Sequence, residues 1–202
     1  MGEDPPYVYI FTKSQIGTQM FENVTIVEGP DGVGKSTYVH RQKELDPDLV
    51  VVRYPDNVPG LPFRDILVHC PYTKSREIAL PLFVANFMVG LQRDILPAVM
   101  EGKRVMIDRH FPSTLIYQNI DFSALFDYVR ALDNAVPGHK SDNPGLANEL
   151  LRFMLEATVL FILDHPEAIL SRLPKKGDQN MRDPVTLEDV EEQCSRYYAL
   201  RG

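Results

Sequence analysis

Residues 29–36 form the segment of this sequence whose spacing is most clearly suited to chemistry. They read Gly-Pro-Asp-Gly-Val-Gly-Lys-Ser, which matches the phosphate-binding pattern G-x-x-x-x-G-K-[ST] without a mismatch. Glycines let the backbone curl so that successive N–H groups point at phosphate oxygens, and a following helix adds its positive dipole end. The pattern predicts that Lys35 reaches the β- and γ-phosphates of a nucleoside triphosphate and that Ser36 binds Mg²⁺. The residues predicted to hold the triphosphate are Gly29, Asp31, Gly32, Gly34, Lys35, Ser36 and Thr37.

A second polar segment, residues 108–118, reads Asp-Arg-His-Phe-Pro-Ser-Thr-Leu-Ile-Tyr-Gln. It directly follows the short apolar run Arg104–Asp108, which predicts a strand. In open α/β sheets, ligands bind beyond the carboxyl ends of the strands. We therefore expect this segment to lie on the ligand-bearing edge of the sheet, beside the phosphate-binding loop.

The elements that must position these segments alternate between strand and helix. Short β-branched runs predict strands at 23–28, 49–53, 104–108 and 158–164. Helical patterns cover 34–44, 75–100, 123–132, 146–156, 167–173 and 186–200, and Pro81 and Pro97 are expected to mark the entry and exit of the long one. This alternation predicts an α/β fold of the P-loop NTPase class, a doubly wound parallel sheet of about four to five strands flanked by helices, with a helical lid.

The length of the chain fits one globular domain. It has 202 residues, of which 44% are hydrophobic, enough to bury a core without disulfides or metals. We expect residues 1–20 to be an N-terminal extension or an appended strand. Residues 21–202 are expected to form a single domain, with the lid at about 174–183.

Charge and cysteine content exclude several classes of partner. The formal net charge is −7, so the surface lacks the basic field on which nucleic acid binding usually depends, and nucleic acid is not an expected partner. Cys70 and Cys194 are too far apart in sequence to suggest a zinc site or a disulfide framework. The start MGEDPP is acidic and YVYIF is short, so we expect neither a secretory signal nor a membrane span. A cytoplasmic protein with reduced thiols is expected.

The two polar segments together resemble those of the thymidylate kinase family, most closely its bacterial members. The resemblance is carried by Glu28-Gly-Pro-Asp-Gly-Val-Gly-Lys-Ser-Thr37 and by the segment 108–118, and Leu82-Phe-Val-Ala-Asn86, Gly102 and Leu163-Asp-His-Pro-Glu167 match in the same order. It covers about residues 22–200. It implies transfer of the γ-phosphoryl group of ATP, with Mg²⁺, to a nucleoside monophosphate. Small-molecule nucleotides are the implied partners, and a homodimer is implied by analogy.

The resemblance also implies roles for single residues. Asp31 would accept a hydrogen bond from the 3′-OH of the acceptor sugar, although a plain turn residue is the alternative. Arg109 would bind the acceptor phosphate, which suits its fork of donors. Asp108 would help to hold Mg²⁺. Phe83 would stack on the acceptor base or would simply be a core aromatic. The other residues implied in acceptor binding are Arg53, Tyr54, Phe87, Ser113, Thr114 and Tyr117, the last against the 2′ position of the sugar.

Cations near the lid would stabilise the charge that spreads over the transferred phosphoryl group. In this family the cation comes from the phosphate-binding loop or from the lid. Because Gly32 follows Asp31 in this chain, the resemblance implies a lid cation. The candidates are Arg172, Lys175, Lys176 and Arg182, and the residues expected to be catalytic are Lys35, Asp31, Arg109, Arg172 and Lys176.

Two features depart from the family pattern. The family has an arginine after the position of Asn86, whereas this chain has Phe87. The missing cation would weaken thymine recognition unless Arg93 or Arg64 replaces it, and it leads to the hypothesis that the acceptor carries a modified pyrimidine such as 5-hydroxymethyl-dUMP. The family also adds a fifth strand after the last helix. Here the sheet is either truncated or completed by the N-terminal extension.

Other functions share the phosphate-binding loop. A deoxynucleoside kinase and a kinase of a modified base in DNA are the enzymatic alternatives. A nucleotide-binding regulatory module without transfer chemistry is the alternative from another class. No Asn-Lys-x-Asp segment for guanine occurs in the sequence, which disfavours a GTPase switch.

Overall fold

A single five-stranded sheet forms the centre of the molecule. The structure is a computed structural model that describes residues 7–11, 20–135, 145–173 and 186–200. The strands are Tyr7–Phe11 (β1), Val24–Glu28 (β2), Val50–Arg53 (β3), Val105–Asp108 (β4) and Thr158–Leu163 (β5). The α-helices are Lys35–Leu45 (α1), Phe63–His69 (α2), Arg76–Gly90 (α3), Leu96–Met100 (α4), Phe111–Gln118 (α5), Phe122–Ala135 (α6), Leu146–Glu156 (α7), Pro166–Arg172 (α8) and Leu187–Leu200 (α9).

The strand order explains why the ligand-binding segments meet. The order is β1-β5-β2-β4-β3, with Ile26 of β2 opposite both Ile107 of β4 and Val159 of β5 in parallel register. From β2 the chain reaches β3 at one edge, returns to β4 and then crosses to β5 on the other side of β2. The predicted doubly wound parallel sheet is therefore confirmed. The carboxyl ends of β2 and β4, which carry the two polar segments, are neighbours.

An added strand completes the other edge of the sheet. β1 pairs with β5 in antiparallel register, with Tyr7 opposite Leu163 and Phe11 opposite Val159. This pairing agrees with the alternative in which the N-terminal extension supplies the edge. The predicted lid, residues 174–183, lies outside the described residues.

Apolar residues fill both faces of the sheet. Along β2, successive side chains point to opposite faces. Ile26 packs in one buried cluster with Phe87 and Leu150, whereas Val27 packs in another with Val39 and Ile169. Helices α3 and α7 thus cover one face, and α1 and α8 cover the other.

The long helical pattern after residue 75 is continuous but irregular. α3 is followed by a π-helical turn, Leu91–Ile95, and then by α4. Pro81 was expected to mark the entry of this helix, but it lies inside α3. The lost hydrogen bond and the ring clash cost about 3 kcal/mol or more in a helix interior, and burial of the surrounding apolar residues offsets this cost. The stretch Arg76–Met100 is long and apolar enough to cross a membrane by length and composition alone, yet half of its most apolar window is buried within the protein.

Candidate active site

The phosphate-binding loop joins β2 to α1, as the sequence predicts. Gly29 has φ 148°, and a Cβ there would lie 2.1 Å from the carbonyl oxygen of Ile162. Only glycine therefore lets the loop pass this close to β5. Gly34 has φ 100° and precedes the first residue of α1. The left-handed backbone at Gly34 turns the chain directly into the helix, so that the helix N-terminus opens on the loop.

A cavity of about 450 Å³ lies in front of this loop. Its lining contains predicted triphosphate-binding residues from the loop and cations from four other segments. The lining residues are Asp31, Gly32, Gly34, Lys35, Ser36, Thr37, Arg53, Tyr54, Arg64, Asp108, Arg109 and Arg172. We call it the phosphate cavity.

Lys35 lies folded into the loop. Its Nζ donates hydrogen bonds to the carbonyl oxygens of Gly29 at 2.9 Å and Pro30 at 2.6 Å. Burial lowers the pKa of Lys35 to about 7, and the positive charge of Arg109 adds to this effect. An anion placed in the cavity would favour the charged form of this lysine.

Ser36 and Asp108, the predicted Mg²⁺ ligands, contact each other. The Ser36 hydroxyl donates to Oδ2 of Asp108 at 2.8 Å, and Nε of Arg53 lies 3.2 Å from the same oxygen. A hydroxyl and a carboxylate are oxygen ligands of the kind that Mg²⁺ accepts, with water and phosphate completing its octahedron. The described part of the chain has no cluster of three or more His, Cys, Asp or Glu that could hold a metal. The two oxygens of the pair fit a cation that a triphosphate would bring with it.

A largely buried ion pair between Arg109 and Asp31 lies at the centre of the site. The side chains are 17% and 25% exposed, and Nη2 of Arg109 contacts Oδ1 of Asp31. Tyr117 donates its hydroxyl proton to Oδ2 of Asp31 at 2.6 Å. Burial alone would raise the pKa of Asp31, but the charges of Arg109 and Lys35 and the hydrogen bond from Tyr117 hold that pKa below its usual value. Asp31 is therefore an ionised acceptor.

The backbone of Arg109 is itself unusual. Its φ is 70°, in the left-handed region that non-glycine residues seldom occupy. The Arg109 N–H donates to the carbonyl oxygen of Val27 at 3.1 Å. This conformation, at the carboxyl end of β4, is of the kind that accumulates at functional sites.

Glu28 anchors the segment that follows Arg109. It is fully buried and accepts hydrogen bonds from the backbone N–H groups of His110 at 2.7 Å and Ser113 at 3.2 Å. Its other oxygen accepts the Ser113 hydroxyl at 2.7 Å. The sequence interpretation included Glu28 only as the first letter of the loop motif and missed this role. One signal could have revealed this role. Glu28 is a carboxylate that ends an apolar run predicted to be a buried strand and stands immediately before the predicted phosphate-binding loop.

A second cavity, of about 200 Å³, adjoins the first. We call it the acceptor cavity. It shares Asp31, Tyr54, Arg64 and Arg109 with the phosphate cavity. Its remaining lining residues are Pro55, Leu67, Val68, Phe83, Phe87, His110, Ser113, Thr114 and Tyr117. All the residues that the resemblance implies in acceptor binding thus line one of the two cavities. The contributions of Leu67 and Val68 were missed because helix α2 was not predicted.

Comparison with known proteins identifies the family. The model of the thymidylate kinase family matches residues 27–200, which is most of the chain. The chain belongs to the thymidylate kinase family. It is 30% identical over 168 residues to a probable thymidylate kinase of Methanocorpusculum labreanum, covering 82% of this chain and 78% of that protein. It is 31% identical over 157 residues to the thymidylate kinase of Chlamydia muridarum, covering 75% and 72%.

A solved structure is also similar. The crystal structure of thymidylate kinase from Ehrlichia chaffeensis aligns at 28% identity over 54% of this chain and 63% of its own length, with a TM-score of 0.47. This chain thus spans less than two thirds of that structure. Membership of the thymidylate kinase family rests on the sequence matches, and it indicates a nucleoside monophosphate kinase.

Phe87, where the thymidylate kinase pattern has arginine, lies in an aromatic wall of the acceptor cavity. It is 1% exposed, and its ring stacks on that of His110 at 4.0 Å between centroids. The Tyr54 ring meets both edge-on, at 5.3 and 4.8 Å. Tyr54 fits because position 90 is glycine, since a Cβ there would lie 1.9 Å from its hydroxyl.

The candidate replacements for the missing family arginine differ in position. Arg93 pairs with Asp56 and Asp94 at 3.3 and 2.6 Å and lines neither cavity. Arg64 lines both cavities. The structure thus places Arg64, and not Arg93, where it could meet an acceptor nucleotide.

One predicted lid cation lies within the described residues. Arg172, at the end of α8, lines the phosphate cavity and contacts Oδ2 of Asp164. Lys175, Lys176 and Arg182 lie outside the described residues.

His110 provides a test of this arrangement through pH. Both ring nitrogens are buried and have no hydrogen-bond partner among the described residues, and burial lowers the pKa of His110 to about 3. As the pH falls below 6.5, the ordinary pKa of histidine, this side chain takes up a proton in the unfolded chain but stays neutral in the folded protein. Stability is therefore lost as the pH falls from above 6.5 towards 3, and we expect this residue to cost about 2 kcal/mol of unfolding free energy between pH 7 and pH 5.

Urea unfolding at pH 7 and pH 5 measures this loss. His110→Phe, which keeps a ring in the stack, should show a loss smaller than that of the wild type by that amount. His40→Gln is the matched control, because the His40 side chain is 77% exposed, and it should retain the full loss. An equal loss in wild type and His110→Phe would contradict a buried, neutral His110.

Proposed function

We propose that this member of the thymidylate kinase family transfers the γ-phosphoryl group of ATP to a deoxypyrimidine nucleoside monophosphate, dTMP or a 5-modified dUMP, to give the diphosphate. The observation that carries the proposal is the junction of the two cavities at Asp31, Tyr54, Arg64 and Arg109. A triphosphate on the loop and a monophosphate in the acceptor cavity would meet at Arg109. Transfer between two bound phosphates needs this adjacency.

Positioning and charge neutralisation would supply the catalysis. Lys35 would leave the loop carbonyls to bind the β- and γ-phosphates. Arg109 would hold the acceptor phosphate in line with the γ-phosphorus, and Arg172 would approach the transferred group from the end of α8. Mg²⁺ held by Ser36 and Asp108 would neutralise charge on the β- and γ-phosphates. The attacking phosphate oxygen of a nucleoside monophosphate is already ionised at neutral pH, so the reaction needs no general base from the protein.

Asp31 and Tyr117 would bind the acceptor sugar. Asp31 is an ionised acceptor in the cavity wall, and it would take a hydrogen bond from a 3′-OH. Tyr117 lies beside it, hydrogen-bonded to the same carboxylate at 2.6 Å. A bulky side chain whose hydroxyl is already bonded would disfavour a 2′-OH. Deoxyribose is therefore the proposed sugar.

The small volume of the acceptor cavity supports an acceptor with a single-ring base. Its volume of about 200 Å³ is below the range of about 300–1,000 Å³ that is common for small-molecule pockets. Phe83 lines it and could stack on a pyrimidine. At Phe87 the wall offers no charged donor to the base carbonyls. The ring nitrogens of the neighbouring His110 have no hydrogen-bond partner among the described residues. A 5-hydroxymethyl group could supply one, because it can both donate and accept a hydrogen bond.

The proposal also places the enzyme in the cytoplasm, as a homodimer and with ATP as donor. Cys70 and Cys194 are free thiols, which suits a reducing compartment. The homodimer rests on the family resemblance. A net charge of −7 makes a polymeric nucleic acid a poor acceptor.

The direct test is ADP release from ATP and Mg²⁺ with a panel of acceptors. The panel contains ribo- and deoxynucleoside monophosphates, among them dTMP and 5-hydroxymethyl-dUMP, together with thymidine and an oligonucleotide bearing the modified base. We expect turnover with deoxypyrimidine monophosphates and none with thymidine or the oligonucleotide. Turnover with the nucleoside or the oligonucleotide alone would replace the proposed acceptor, and steady ADP release with none would point to a non-transferring module.

Base choice is tested by Phe87→Arg, which restores the family residue. A new charge-assisted hydrogen bond to a carbonyl oxygen of thymine, worth about 1.5–3 kcal/mol, should raise kcat/KM for dTMP above that of the wild type by at least about tenfold. Phe87→Leu is the control, since it removes the stacking without adding a donor and should not raise kcat/KM for dTMP. A wild-type enzyme that already prefers dTMP over every other monophosphate would remove the support for a modified base.

A further inference from the structure

The last helix, α9, reaches into the site from behind the acceptor cavity. Gln193 and Tyr197 lie one turn apart on the same face of α9 and are 7% and 0% exposed. Neither lines the acceptor cavity. Both end in polar atoms directed at residues that do line it, so α9 forms a second layer behind the proposed acceptor-binding residues.

The orientation of the Gln193 amide is fixed by its partners. Its Oε1 accepts the backbone N–H of Asp31 at 3.1 Å, and a backbone N–H can only donate. The carbonyl end must therefore face Asp31, which leaves Nε2 to face Tyr117 at 3.0 Å. Because Nε2 can only donate, the Tyr117 oxygen accepts this bond.

This bond and the Asp31 carboxylate together set the direction of the Tyr117 hydroxyl. With Gln193 donating to its oxygen, Tyr117 turns its own hydrogen to Oδ2 of Asp31 at 2.6 Å. A second donor, Nη1 of Arg109, lies 3.5 Å from the Tyr117 oxygen. The hydroxyl is thus fully committed as donor and as acceptor. A sugar hydroxyl brought against it would find no free hydrogen-bonding position.

Tyr197 supports the other half of the ion pair. Its hydroxyl lies 3.2 Å from Nη1 of Arg109, 3.1 Å from the Ser113 hydroxyl and 3.4 Å from Oε2 of Glu28. One face of α9 therefore touches both the Asp31–Tyr117 pair and Arg109.

We propose that Gln193 is a positioning residue for acceptor specificity, because it fixes the direction of the Tyr117 hydroxyl and thereby keeps Tyr117 closed to a ribose 2′-OH. This inference rests on the proposed function. Without the Gln193 donor, the Tyr117 hydroxyl is free to rotate, and it can then turn a lone pair towards a 2′-OH in the cavity. Deoxyribose and ribose acceptors would then differ less.

Steady-state kinetics with matched deoxy- and ribonucleoside monophosphates of one base tests the inference. Gln193→Leu should raise KM for the deoxy acceptor and lower the deoxy-to-ribo ratio of kcat/KM, each by about fivefold, the effect of one hydrogen bond. The KM for ATP should change less than the KM for the deoxy acceptor. Gln193→Glu keeps an acceptor for the Asp31 N–H but no donor for Tyr117. Gln193→Glu should lower the same deoxy-to-ribo ratio. It takes the place of Gln193→Leu as the test if that variant does not fold.

Glu192→Gln is the matched control, because Glu192 is the adjacent residue and pairs with Arg196 on the surface. It should behave as wild type in every parameter. A deoxy-to-ribo ratio that is equal in wild type and both Gln193 variants would overturn the inference, even if the variants melt at lower temperature. A wild-type protein that phosphorylates no monophosphate would instead overturn the proposed function, and the inference with it.

Discussion

The ion pair between Arg109 and Asp31 is the interaction on which the rest of the site depends. Both charges are mostly buried, and either one would be left uncompensated in a poorly solvated place if it lost its partner. The surrounding groups form hydrogen bonds to both members of the pair, as donors to Asp31 and as acceptors for Arg109. Tyr117 donates to Asp31, whereas Ser113 and Tyr197 accept from Arg109. The pair also joins the two cavities, since the phosphate-binding loop carries one member and the end of β4 the other.

The cations of the site are held on acceptors of the protein itself. Lys35 donates to loop carbonyls, Arg53 lies against Asp108, and Arg172 contacts Asp164. Each of these acceptors lies at or beside the place proposed for a phosphate. When a phosphate group binds, each cation would therefore exchange its present acceptor for a phosphate oxygen. The cationic side chains are already ordered and would not have to become so on binding. Arrangements of this kind reduce the reorganisation that catalysis needs at the moment of reaction.

The fold and the loop could be predicted because their causes are local. Glycines between an apolar run and a helical pattern predict the loop, and α7 has the predicted bounds of 146–156. The prediction that Pro81 marks the entry of the helix was wrong, because the burial of a whole helix face outweighs the cost of one proline inside the helix. The Gln193–Asp31 contact joins residues 162 positions apart, and the aromatic wall unites Tyr54, Phe87 and His110 from three separate segments of the chain. No local pattern could have predicted either, because tertiary packing alone makes these residues neighbours.

The most direct test of this account is the affinity of the enzyme for each substrate alone when the Arg109 fork is removed. Isothermal titration of dTMP and of ATP into wild type and Arg109→Lys separates the two cavities. The account predicts that Arg109→Lys weakens dTMP binding by about tenfold or more, the value of a charge-assisted bidentate contact, and leaves ATP binding unchanged. Unchanged dTMP affinity, or an equal loss for both ligands, would contradict the assignment of Arg109 to the acceptor phosphate.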